Sequence, residues 1–197
     1  MRNIDMLVAV KAEEIMNDYG KLSKDINNPS ALHPSSMYHK YVRIMPEDDM
    51  LVSVDNELNI TLKANIGDTL RWNVTTLNID TMYSCTTVKI SPMNMSSMKS
   101  MNMHSMNTND MQMMMSMPVM KSFMTFMPSV DITDPLNIDM QHMKNCCWMS
   151  TITDLPHAGT ARIMFYECII AVYREMTLMG YIAMEPGLIL DQKSILS

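Results

Sequence analysis

The chain has 197 residues, long enough to bury roughly two thirds of its unfolded surface, which excludes the mini-protein classes that need disulfides or a metal to hold a fold. With 15 Lys plus Arg against 21 Asp plus Glu, the net charge is -6 and the pI about 5.3, so neither nucleic acid nor membrane is an expected partner. The outlier is methionine: there are 28, and without them the hydrophobic fraction of 47% drops to about 33%, so one soft, flexible side chain supplies a normal-looking composition.

In chain order, Ile4 to Lys11 reads as a strand. Charges flank its short apolar run, and it lacks the small-residue cleavage site of a signal peptide. Ala12 to Tyr19 is the helical stretch, with the good formers Glu13, Glu14, Ile15 and Met16 and a stop at Gly20. Tyr38 to Met45 and Met50 to Val54 are strand candidates. The clearest pattern follows, with Leu58, Ile60, Leu62 and Ala64 alternating with Asn59, Thr61 and Lys63. After a turn at Asn65-Ile66-Gly67-Asp68, alternation resumes with Leu70, Trp72 and Val74 pointing inward, giving two successive strands around a Gly-Asp turn. Further candidates are Tyr83 to Ile90, Val119 to Met127, Cys147 to Thr153, Thr160 to Tyr173 and Leu178 to Met184. In Thr160 to Tyr173 both parities are apolar, as in a central strand buried on both faces. Strands at this spacing predict an all-β fold: an antiparallel β-sandwich, jelly-roll or Greek-key like, with one short helix. Nowhere do 18 consecutive apolar residues occur, so no transmembrane span is expected.

Residues 93 to 127 break the alternation. Half of the methionines fall there, interleaved with Ser and Asn, and the segment reads as a Met-rich insertion within a single domain spanning 1–197. Thioethers at Met-x-Met and Met-x-x-Met spacing are soft ligands suited to Cu(I), and Met101, Met103, His104 and Met106 are the candidate set. The other fourteen methionines are distributed along the strands, which favours composition itself, rather than copper, as the selected property. Cofactors are therefore expected to be none.

Cys85, Cys146, Cys147 and Cys168 contain no Cys-x-x-Cys, and the adjacent pair cannot readily bridge, which fits free buried thiols in a reducing cytoplasm. The histidines, His33, His39, His104, His142 and His157, show no metal-ligand spacing. Asp139 and His142 could begin an acid–base pair, but no nucleophile elbow or Gly-rich phosphate loop accompanies them, so no enzyme is expected. Acidic residues gather in turns at Glu47-Asp48-Asp49, Asp55-Asn56 and Asp131-Ile132-Thr133-Asp134. Such loops on a sandwich serve as turns or bind sugars or calcium. Trp72, Trp148, Phe165, Tyr166 and Tyr181 are expected to anchor the core.

Three segments carry a family resemblance: the opening Ile4-Asp5-Met6-Leu7-Val8-Ala9-Val10, the stretch from Asn59 through Gly67-Asp68-Thr69-Leu70-Arg71-Trp72, and the late Gly180-Tyr181-Ile182. Together they resemble the AidA/PixA-type inclusion body proteins, and the Met content resembles the branch that forms crystalline inclusions in the cytoplasm of Xenorhabdus-like bacteria. The ending Met184-Glu185-Pro186 departs from the family's Trp-Asp-Pro-like closing, and the Met/Ser/Asn tract departs from its ordinary members. The resemblance implies a cytoplasmic β-sandwich that self-assembles into crystals as an amino-acid and sulfur store, with no catalytic residue to transfer. Beside this stand two other readings, a lectin-like, glycan-binding module and a Cu(I)-binding protein.

Overall fold

The computed structural model describes residues 1–47, 49–77, 82–93, 114–131, 133–134, 136–156 and 163–192. Strand β1 (Asn3–Val10) places Ile4, Met6, Val8 and Val10 on one buried face. Helix α1 (Ala12–Tyr19) covers one end of the core with Ala12, Ile15 and Met16 and stops at Gly20, whose positive φ of 66° ends the helical run. After β2 (Ser30–Ala31), a 3-10 turn and the four-residue α2 (Tyr38–Tyr41), the remainder is strand: β3 (Val42–Pro46), β4 (Leu51–Val54), β5 (Ile60–Ala64), β6 (Thr69–Thr76), β7 (Tyr83–Pro92), β8 (Val119–Val130), β9 (Ile138–Thr151), β10 (Ile163–Arg174), β11 (Thr177–Met184) and β12 (Gly187–Gln192).

These strands build two sheets. One runs β3-β1-β6-β9-β8; the other runs β2-β11-β10-β12-β5-β4, with β7 on the edge of β10 that β11 leaves free. Between them lies one apolar core. The predicted inward set Leu58, Ile60, Leu62, Leu70 and Trp72 is buried there, and Val74 is packed against it. Trp72 from the first sheet meets Tyr166 from the second at 6.1 Å between ring centroids. Strand β10 buries Ile169, Ile170, Ala171 and Val172 in succession, as its two-sided apolar pattern predicts for a central strand.

The β-sandwich-like, all-β architecture is thus as expected, with differences in detail. Both sheets are mixed rather than purely antiparallel: β1 with β6, β2 with β11 and β5 with β12 are parallel pairs. There are two short helices rather than one. Tyr38 to Met45 starts as α2 because Tyr38 and Tyr41, three apart, both reach the core from one helical face, a spacing that alternation alone misreads. The segment Gly187–Gln192 adds a strand where none was expected. Strands β5 and β6, predicted around one turn, belong to different sheets. The turn between them is clamped by the buried Asp68 carboxylate, which accepts from the backbone N–H of Asn65 at 3.1 Å and of Arg2 at 2.9 Å. Fixing Arg2 there lays β1 beside β6 in register, Ile4 opposite Leu70, so the turn passes the chain from one layer to the other. At Gly180, with φ 151°, a Cβ would stand 2.6 Å from Leu22 Cβ, so only glycine admits the close approach of that segment.

Candidate functional site

Among the described residues the interior void is small. At about 30 Å³, and lined by Met6, Trp72, Tyr166, Cys168 and Met184 among others, it is water-sized and apolar. The surface offers more. On the outer face of the first sheet a groove of about 360 Å³ is lined by Asp5, Arg71, Asn73, Lys121, Phe123 and Cys147, together with neighbours on the same strands. The period-two pattern explains this grouping: Leu70 and Trp72 go inward, so Arg71 and Asn73 go outward, and the cross-strand partner of Arg71 on β1 is Asp5. The Arg71 guanidinium forks onto both carboxylate oxygens of Asp5, with Nε donating to Oδ1 at 2.7 Å, and this bond raises the pKa of Arg71. Burial pushes the Cys147 thiol up against the pull of Arg71, so it is a poor nucleophile. What the groove presents chemically is a neutralised ion pair on its floor, an amide and an ammonium, and the half-exposed ring of Phe123.

From this groove a hairpin projects. Strands β8 and β9 pair without a break from Val119–Met149 to Val130–Ile138, but β6 pairs with β9 only from Trp148 to Thr151. Beyond that point the hairpin forms an arm. Along β8 only Thr125 is less than exposed, and β9 is exposed from Ile138 to Cys146. The face continuous with the core side carries Met124, Phe126 and Met140, 60%, 60% and 53% exposed; the opposite face carries Phe123, Met127 and Met143. Phe126 stacks edge-on against His142 at 4.4 Å. Lys121 and Lys144 lie toward the root, and Asp131, Asp134 and Asp139 at or near the tip.

The other residues singled out by sequence fall as follows. Met101, Met103, His104 and Met106 lie outside the described residues, as do His157 and most of 93 to 127; at the end of that tract Met114 and Met115 are buried and β8 begins at Val119. Asp139 and His142, three apart on a strand, point to opposite faces of the arm and do not form an acid–base pair. Among the described residues no three of His, Cys, Asp and Glu converge as a metal site. Asp55 accepts from the N–H groups of Glu57 and Asn59, both at 2.9 Å, and Asp131 from Thr133, so both act within their own turns. Cys147 and Cys168 are buried as expected and Cys85 is half-buried, but Cys146 is exposed, because consecutive strand residues face opposite ways. Trp72 and Tyr166 anchor the core, whereas Trp148, Phe165 and Tyr181 are only partly buried. Sequence reading anticipated one strand of the arm, Val119 to Met127 in β8, but not its partner from Ile138 to Cys146, nor that the pair stands out from the sandwich. The one available signal was the density of Met and Phe continuing past Met120 without a consistent inside and outside.

No helix among the described residues is long and apolar enough to cross a membrane. No curated protein matches the chain. Nine chains of solved structures do match, and one of them, an inclusion body protein of the PixA family from Burkholderia cenocepacia J2315, aligns over 96% of both chains with a TM-score of 0.67 at 13% identity, a likeness of fold. The model of the PixA family, described as inclusion body protein, matches residues 2–189, a span that takes in the Asp5–Arg71 pair, the Asp68 clamp and Trp72. Nearly the whole sandwich therefore lies within that match, and the chain belongs to the PixA inclusion body protein family.

Proposed function

We propose that the protein is a cytoplasmic store of amino acids and sulfur that self-assembles into crystalline inclusions, its principal partner being further copies of itself. The observation that carries this reading is the surface of the arm. A chain with a complete core still holds Met124, Phe126 and Met140 in solvent on one face of the arm, and Met127 on the other, apolar patches of the kind that mark protein–protein interaction sites. Family membership supports the inclusion, and 28 methionines support the sulfur store. Met suits lattice contacts as well, since a flexible, polarizable side chain fills irregular gaps between molecules.

Electron microscopy of expressing cells, with turbidity of purified protein followed from about pH 6 to 11, tests the reading. Lattice-bearing particles that dissolve in alkali are expected. Cells without particles, and a protein monomeric at high concentration over the whole range, would overturn it. A second reading, glycan binding, is favoured by one feature: the Phe123 ring beside Lys121 and Asn73 offers the aromatic platform and polar groups that sugars use. A glycan array on redissolved protein, with Phe123→Ala as the control, separates the two.

A further inference from the structure

We infer that the β8–β9 arm is the contact through which copies join, arm laid face to face on the arm of a second copy about a two-fold axis with the two arms antiparallel; this rests on the self-assembly reading above. Three observations select this occupant and geometry.

First, the face bearing Met124, Phe126 and Met140 is the continuation of the core side of the sheet. In the body that side is covered by the second sheet; on the arm no described strand covers it. Sheets meet about 10 Å apart face to face, and a copy of the same face supplies the missing layer. Second, the charges are arranged end to end. With Lys144 on this face toward the root and Asp131 and Asp134 in the turn at the tip, antiparallel arms set each tip against the other's root, so opposite signs meet, whereas parallel arms would set like against like; Lys121 and Asp139 lie on the other face. Self-complementarity of this kind is what a two-fold contact requires. Third, the strand edge is a poor alternative. Strand β8 is the outermost of its sheet, and Pro128 within it has no N–H to donate to an added strand.

From Lys121 to Val130 the arm is about 34 Å long and about 10 Å wide, so one face offers on the order of 300 Å² per copy. That is the size of a transient contact rather than an obligate one. A lattice that must be taken apart again is served by many such contacts.

The test uses the full chain with Cys146→Ser to remove the exposed native thiol. His142→Cys, on the core-side face at mid-arm, is expected to give covalent dimers with a short bifunctional maleimide under conditions where the parent assembles. Val130→Cys at the tip and Ser122→Cys at the root, on the same face, should cross-link to each other when mixed, and much less when each is alone. Serine at Met124, Phe126 and Met140 together should raise the concentration needed for turbidity at least tenfold without moving the thermal midpoint. Three results would overturn the inference: assembly of the triple-serine protein at the parent's concentration, absence of dimers while the parent assembles, or cross-linking of tip to tip in preference to tip to root. A parent that stays monomeric is a separate result, removing the self-assembly reading and this inference with it.

Discussion

Strand β9 lies in two environments. From Trp148 to Thr151 it is a sandwich strand, paired with β6 along one edge and, at Trp148 and Met149, with β8 along the other, and covered on its inner side; from Ile138 to Cys146 it is half of a two-stranded ribbon with both faces exposed. The ladder to β8 runs without a break from one into the other as far as Met149. What differs is the layer beneath. A hairpin isolated in water is at best marginally stable, so the arm depends on its own cross-strand pairs, such as Phe126 with His142, and on whatever it meets outside the chain. The body needs no such help. A regular ladder therefore does not identify a self-sufficient region; the covered face does.

The largest expected effect comes from breaking the body. Leu62 is fully buried in β5, between β4 and β12, and Leu62→Asp places an unpaired carboxylate in the core at a cost of several kcal/mol. The variant should be insoluble or unfolded; a soluble protein with the parent's thermal midpoint would contradict the assignment of β5 to the core.

Alkali acts on the same region in a graded way. Burial holds the Cys168 thiol protonated up to about 12, against 9.0 for an ordinary thiol, and burial also raises Cys85, Cys147 and Tyr166. Between those two values the unfolded chain has lost the Cys168 proton while the folded chain keeps it. Unfolding then releases a proton, and stability falls as pH rises, by about 1.4 kcal/mol per pH unit for this one group. Denaturant titrations at several pH values above 9 should show that slope, and Cys168→Ala should flatten it by about one proton. An unchanged slope would mean that other groups set the alkaline limit. Dissolution of inclusions in alkali thus has a source inside each molecule, in addition to repulsion between chains.

The smallest effect separates the regions by chemistry. Met124, Met127 and Met140 are more than half exposed, whereas Met6, Met50 and Met184 are buried. Mild peroxide should convert the first set to sulfoxide before the second, followed peptide by peptide in a mass spectrometer, with little change in monomer stability because exposed sites contribute within about 0.5 kcal/mol. Equal rates in the two sets would erase the distinction between arm and body.

Much of the body was legible in the sequence, and for one reason. Alternation such as that of Leu58 through Ala64 records burial on one side and marks β5 and β6, and the continuous apolar run of β10 records burial on both. The first half of β9, Ile138-Asp139-Met140-Gln141-His142-Met143-Lys144-Asn145, carries no clean alternation and is exposed throughout, with no described layer over either side, and its strand was not anticipated. Pairing was illegible for another reason: nothing in the period of β5 or β6 says which sheet each joins, and the answer depends on Asp68 reaching Arg2, distant in sequence. Of the groove, Arg71 and Trp72 stood in the family-like segment, but the union of Arg71 with Asp5 needed the register of β1 on β6.

The two tryptophans of the chain, Trp72 and Trp148, face each other across the last stretch of β6–β9 pairing, and the Trp148 indole N–H donates to the Thr87 carbonyl at 3.1 Å. All indole emission therefore originates within a few residues of the place where the arm leaves the sandwich. Trp72 is sealed in the core and Trp148 is partly open to solvent, so the blue edge of the spectrum monitors the body and the red edge monitors the hinge of the arm. The protein carries its own optical gauge at the boundary between its self-sufficient and its dependent parts, with no dye to attach, and Trp72→Phe would leave that gauge reporting on the hinge alone.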